Sequence, residues 1–367
     1  MFFYIFFLLF ITGLVLVEYF YPPRGKVIGI IVLILIVLIS GLRKGIGYDY
    51  NSYVSWYLYK TRDNDLEYGY LAIMNVFRWF NLTPSFLFFF FSFFTCFFVY
   101  LGVKKYAINP NIALLFYIII PGLYLTSFTL VRQSLSVAIS FYAFYYLINR
   151  KYVIFFLLMF IGVSIHNTCL VPLFLFLLVF KYGDRMKINH LYGMVIFSFL
   201  ISSFDFFQVF HELFEKSRYA YYFSDKIKPV SIWKIIVLNL EGILILYYSK
   251  KFDNRYPYQK YFLVLYCFSI VFINIFSKNY DLTRIFIYFR IFEIIVVANL
   301  ISLEINTRRI ALFLFFYILY FSAFLNGLRV DFEFQKKNMP RLIPYDNILW
   351  FSSKIMEPEL IKENIFD

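Results

Sequence analysis

The chain has 367 residues, of which 62% are hydrophobic, 25% aromatic and only 16% charged, with a formal net charge of +13. A water-soluble domain cannot hide that much apolar surface, because exposed apolar patches beyond a few hundred Å² drive association. A bilayer accepts it, since runs of about 20 apolar residues cross the hydrocarbon as helices. Composition therefore excludes a soluble enzyme and predicts an all-α, polytopic integral membrane protein. The cationic balance needs no nucleic-acid partner, because loop lysines and arginines set membrane topology.

About twelve apolar segments follow one another, near 2–21, 26–41, 85–103, 111–127, 133–149, 152–165, 168–181, 190–204, 231–249, 259–277, 285–303 and 309–326. The first, MFFYIFFLLFITGLVLVEYF, lacks a basic n-region and a small-residue cleavage site, so it reads as a retained span. The 29 residues from Tyr152 to Phe180 are too many for one ordinary span and barely enough for two. Arg150 and Lys151 before them, and Lys181, Arg185 and Lys187 after them, favour a short hairpin with His166 at its tip.

Cations gather on alternate short loops: Arg24/Lys26, Lys104/Lys105, Arg150/Lys151, Lys181/Arg185/Lys187, Lys250/Lys251/Arg255 and Arg308/Arg309. The positive-inside rule puts these in the cytoplasm. The loops near 42–84 and 205–230, the TLVRQS turn, the 278–284 turn, the His166 tip and both termini then lie outside. No repeat or linker divides the chain, so residues 1–326 are expected to form one membrane domain, followed by a polar tail over 327–367. Cys96, Cys169 and Cys267 sit singly in apolar runs and read as small core residues without a disulfide framework.

Ionisable groups in or beside a span are expensive and draw a functional reading. Arg132 opens the segment FTLVRQSLSVAIS, where Ser134, Ser136, Ala138 and Ser140 give a small-residue packing face. Arg290 follows Arg284 in DLTRIFIYFRIFE, and Glu293 one turn on makes it equally a candidate for a buried ion pair. His166 interrupts an apolar run beside Ser164, Asn167 and Thr168, which suits a general base or a phosphate contact. The stretch GLRKGIGYDYNSYVSW supplies Arg43 and Asp49 with tyrosines that otherwise serve as interface anchors. Arginine forks suit phosphate oxygens, and aromatics with carboxylates suit sugars. No Walker loop, HExxH or aspartate-rich metal motif is present in the sequence.

Several of these stretches, taken in order, resemble the EpsG/Wzy-type bacterial polysaccharide polymerases. GLRKGIGYDYNSY is similar to the family's opening signature, here Arg43, Gly47, Asp49 and Tyr53. LEYGY resembles its Glu-x-Gly-Tyr helix start, giving Glu67, Gly69 and Tyr70. TLVRQS, HNTCLVP and DLTRIFIYFR resemble its later arginine and histidine segments. The resemblance implies a multi-pass inner-membrane protein with a fold related to GT-C glycosyltransferases. It would join undecaprenyl-diphosphate-linked oligosaccharide units into O-antigen, capsule or exopolysaccharide, with membrane lipid and a chain-length regulator as further partners. Arg132 with Arg290 or Arg284 would hold the diphosphate, Arg43 would orient the donor, and Asp49 or His166 would be the base. Tyr53, Glu67 and Tyr70 would contact sugar. No cofactor or metal is expected, because arginines can neutralise the leaving group. Rival readings are a membrane O-acyltransferase of surface glycans, a flippase for lipid-linked oligosaccharides, and the related ligase that transfers finished glycan.

Overall fold

The computed structural model of the protein describes residues 1–20, 25–60, 65–204, 229–250, 258–279, 282–335 and 342–349. Among them the regular structure is helical, and every apolar segment expected from the sequence falls on a helix. In chain order these are α1 (Phe2–Phe20), α2 (Gly25–Gly41), α3 (Tyr50–Tyr59), α4 (Tyr68–Trp79), α5 (Pro84–Tyr106), α6 (Pro110–Ile119), α7 (Val131–Ile148) and α8 (Tyr152–Ile165). They continue with α9 (Leu170–Tyr182), α10 (Ile188–Ile201), α11 (Ile232–Ser249), α12 (Gln259–Ile275), α13 (Ile287–Arg290), α14 (Glu293–Leu303) and α15 (Asn306–Gln335).

Five described stretches are long and apolar enough to cross a membrane: Pro84–Tyr106, Asn167–Arg185, Ile232–Ser249, Leu282–Leu303 and Asn306–Glu333. Shorter apolar helices accompany them. Their outer faces are greasy: Phe2 is 86% exposed, Phe160 73% and Phe197 65%. Such surfaces need hydrocarbon as solvent, and a helix satisfies its own backbone there. The broken stretch 282–303 lies at the centre of the bundle, whereas α15 is peripheral. Polar side chains fasten the packed faces. Asn239 and Asn274 exchange amide hydrogen bonds at 2.8 and 2.9 Å, and Asn274 Nδ2 also donates to Ser198 Oγ at 2.8 Å. Cys96, Cys169 and Cys267 are buried and free.

Three segments differ from the sequence reading. The segment expected over 111–127 stops being helical at Ile119, because Pro121 holds Ile120 extended (ψ 121°). A turn at Gly122 and a short 3₁₀ helix, Leu125–Phe128, follow. The loop 42–84 carries two helices, α3 and α4, which pack a small core of Tyr53, Tyr70, Met74, Phe88 and Phe91 against α5 and α7. The boundary expected at 326/327 falls inside α15. Beyond it, residues 342–349 lie along the 42–44 turn, with Lys44 N donating to Asp346 O at 3.0 Å and Ile348 N to Leu42 O at 2.9 Å. Most of the 205–230 loop, Arg24, Lys251, Arg255 and the tail from residue 350 are outside the described residues.

The stretch Tyr152–Tyr182 is two helices joined by a tight turn, Asn167–Cys169, with His166 extended (φ −153°) just before it. That turn puts His166 at the same end of the bundle as Arg132.

Candidate functional site

Glu67 occupies the N-cap position of α4 in extended conformation, so its side chain projects from the end of the helix. Gly69 lets α4 approach α8: a Cβ at this position would come within 2.8 Å of Ser164 O. That approach brings Glu67 Oε1 to 2.9 Å from His166 Nδ1, and Glu67 Oε2 accepts a hydrogen bond from Arg132 Nη1. Three side chains from α4, α7 and the α8–α9 turn thus converge. They are neither sealed nor freely solvated, at 10% exposed for Glu67, 17% for Arg132 and 21% for His166.

Aromatic rings enclose the guanidinium. Arg132 Cζ lies 5.9 Å from the Tyr53 ring centre, 5.3 Å from Trp56 and 5.3 Å from Tyr70. Each such contact is worth about 0.5–2 kcal/mol and fixes the plane of the fork. Arg132 Nε and the Tyr70 hydroxyl are buried without a hydrogen-bond partner, a costly state unless a ligand completes it. Burial alone would raise the Glu67 carboxyl, but the His166 hydrogen bond and the Arg132 charge outweigh it and hold the group down to about 2. Glu67 is therefore a carboxylate, able only to accept. It follows that His166 carries its proton on Nδ1 and, when neutral, presents a lone pair on Nε2.

The other sequence candidates are distributed around this centre. Asp49 begins α3, where its carbonyl accepts from Tyr53 N at 3.0 Å, one turn from the Arg132 box. Arg284 is on the 3₁₀ turn Leu282–Phe286, tied to the neighbour of Arg132 by Gln133 Nε2 donating to Arg284 O at 2.9 Å. Arg290 lies within the bundle, with Nε 3.3 Å from Glu293 and Nη2 4.0 Å from Glu241, so its charge faces two carboxylates. Arg43 is 1% exposed. It donates to Ser40 O, to Ile46 O at 3.2 Å, to Phe128 O at 3.2 Å and to Ser92 Oγ at 2.9 Å, between the Phe88 and Phe128 rings. These contacts bind the 42–47 turn to α5 and to the entry of α7.

Four residues were missed by sequence reasoning. Trp56 sits one turn after Tyr53, a spacing that a helix over 50–59 would have disclosed. Tyr288 hydroxyl joins Ser136 Oγ at 3.1 Å and Thr168 Oγ1 at 3.1 Å, linking α7 to the His166 turn. Lys234 Nζ and Arg290 Cζ stand over the same Phe286 ring at 5.8 and 5.7 Å. Arg78 donates to Tyr57 O at 3.0 Å and Trp56 O at 2.8 Å, clasping α3 to α4. No cluster of His, Cys, Asp and Glu suited to a metal occurs among the described residues.

A bundle of apolar helices, several of them able to cross a membrane, with an arginine, a histidine and a carboxylate meeting at one end, defines a membrane protein with a polar cluster at that end. The chain matches the model of the EpsG family over residues 26–347 and belongs to that family, which places it in polysaccharide biosynthesis. No curated protein and no solved structure matches it.

Proposed function

We propose that this protein polymerises undecaprenyl-diphosphate-linked oligosaccharide repeat units at the extracytoplasmic face of the bacterial inner membrane. In this reading about twelve helices span the bilayer in a GT-C-related arrangement. The observation that carries it is the Glu67–Arg132–His166 cluster inside its aromatic box, with Arg132 Nε unpartnered. A diphosphate oxygen is the natural complement of the partly exposed guanidinium.

The chemistry follows from that geometry. A sugar hydroxyl of the incoming unit attacks the anomeric carbon of the growing chain. The new glycosidic C–O bond forms as the bond to the diphosphate oxygen breaks, and the leaving electron pair stays on undecaprenyl diphosphate. His166 Nε2 takes the hydroxyl proton, with Glu67 holding the ring in the productive tautomer. Arg132, with Arg284 beside it, stabilises the departing diphosphate. Asp49, Tyr53 and Tyr70 border the sugar path. Neutralisation by arginines makes the step metal-independent. Arg43 supports the turn instead of touching the donor, and Arg290 is held among carboxylates inside the bundle.

The test is a size profile of lipid-linked and surface glycan in cells lacking the gene. Loss of the ladder, leaving single repeat units, supports polymerisation. An intact ladder with altered decoration overturns it and favours a membrane O-acyltransferase.

A further inference from the structure

An apolar groove of about 580 Å³ runs between α8 and α9, lined by Val153, Phe156, Phe160, Val163, Leu170 and Leu173 with their neighbours Leu157 and Met159. Its upper end, at Val163 and Leu170, flanks the turn that carries His166. Val163 is three residues before His166, and Leu170 opens the helix that follows the His166 turn. The groove is thus hydrocarbon-lined along its length, and the turn just beyond its upper end holds His166, which shares Glu67 with Arg132. A ligand that matches it is apolar over its tail and anionic at its head.

We propose that this groove holds the hydrocarbon tail of a lipid-linked diphosphate whose head lies at Arg132 and His166. The proposal rests on the functional reading above and adds where the lipid sits and how much of it is gripped. Along α8, Val153 to Val163 spans about 15 Å at the helical rise per residue. The groove therefore engages only the first few isoprene units, and the rest of the tail remains in the bilayer. Apolar contact guides the lipid along α8 and α9, and the cations stop it with its diphosphate at the reaction centre.

The experiment places a photoreactive p-benzoylphenylalanine at Leu157 in the groove or at Ile318 on α15. These positions are similarly exposed, 59% and 63%. The full-length protein is held in nanodiscs of phosphatidylglycerol and phosphatidylethanolamine and supplied with radiolabelled undecaprenyl diphosphate. Labelling at 157 should exceed that at 318 by about tenfold, a binding difference of about 1.4 kcal/mol. It should fall to the level at 318 when Arg132→Ala is added. Equal labelling at both positions, or labelling indifferent to Arg132, means that bilayer lipid alone covers the groove and overturns the proposal. A second variant, Val163→Trp, fills the upper groove from its lipid side and should weaken undecaprenyl diphosphate binding about tenfold in monodisperse protein; unchanged binding again overturns it. The two readings fail separately. Selective labelling in a protein whose deletion leaves the glycan ladder intact keeps the groove and removes the polymerase. Uniform labelling in a working polymerase removes the groove alone.

Discussion

The Arg43 guanidinium is enclosed by main-chain carbonyls and two phenyl rings, whereas the Arg132 guanidinium is partly exposed, with Nε unpartnered, beside a histidine 21% exposed. In the sequence both are cations at the mouth of an apolar helix, and their surroundings separate their tasks. Arg43→Ala removes a charge hydrogen-bonded to several buried acceptors, so it should cost on the order of 3 kcal/mol of stability. Arg132→Ala removes a largely buried ion pair and three ring contacts, so it should also cost on the order of 3 kcal/mol, and it should abolish chain extension in the protein that remains folded. Thermal melting of the purified variants beside an extension assay checks both; a stable, active Arg43→Ala protein or an active Arg132→Ala protein contradicts the assignment. Glu67 adds a pH signature. Its folded-state value of about 2 lies below the ordinary 4.5, so the carboxylate stabilises the fold above about pH 4.5. That contribution fades as pH falls from 4.5 towards 2. The melting difference between the native protein and Glu67→Gln should be flat above about pH 5 and vanish at the acid end of that window. A difference that instead changes between pH 6 and 8 would implicate another group.

At the scale of elements, the contact of α4 with α8 decides whether the centre assembles. Gly69→Ala puts a methyl group against Ser164 O, which is backbone and cannot rotate away. The helices must separate, at about 1–3 kcal/mol, and Glu67 two residues away loses its reach to His166. Chain extension should fall at least about tenfold with protein level retained, a barrier change of more than about 1.4 kcal/mol. The control is Gly13→Ala in α1, where a Cβ meets nothing within 4 Å and extension should be unchanged. This contact also marks the limit of what the sequence discloses. The apolar helices are legible because a continuous greasy run has no other stable state in a bilayer. The stop of α6 was written in Pro121 but overridden by the apolar run around it. Helix α3 escaped notice because tyrosines and polar residues in a loop resemble interface anchors, and α4 was signalled only by the resemblance of LEYGY to a Glu-x-Gly-Tyr helix start. The Glu67–His166 pair bridges 99 positions of sequence and depends on a backbone approach that a glycine permits, so no local pattern encodes it. The role of Arg43 is similarly hidden, since main-chain carbonyls are its principal acceptors and every sequence supplies those.

At the scale of the molecule, the described contacts sort into two ends. Glu67, Arg132, His166, the 42–44 turn and residues 342–349 meet at one end, as do Val230 and Ser277, joined at 2.7 Å. At the other, Asn111 Nδ2 donates to Glu18 at 2.7 Å and to Gly25 O at 2.8 Å, and Ile108 N donates to Asn299 Oδ1 at 2.8 Å, beside the cationic loops. By the positive-inside rule the first end is expected to be extracytoplasmic. Single cysteines can test this, because Cys96, Cys169 and Cys267 are buried and silent to a membrane-impermeant reagent. Cysteine at Asp65 should label from outside in intact spheroplasts, and cysteine at Lys105, Lys151 or Lys187 only after permeabilisation. Lys187 is the decisive position. Were Tyr152–Tyr182 one tilted span, everything after it would invert and Lys187 would label from outside. Arg284 would then face the opposite side of the membrane from Arg132, although Gln133, the neighbour of Arg132, binds Arg284 O at 2.9 Å. External labelling at Lys187 would therefore break the arginine pair assigned to the diphosphate as well as the topology. Protection there keeps Arg132, Arg284 and His166 on one surface, as the proposed diphosphate site requires.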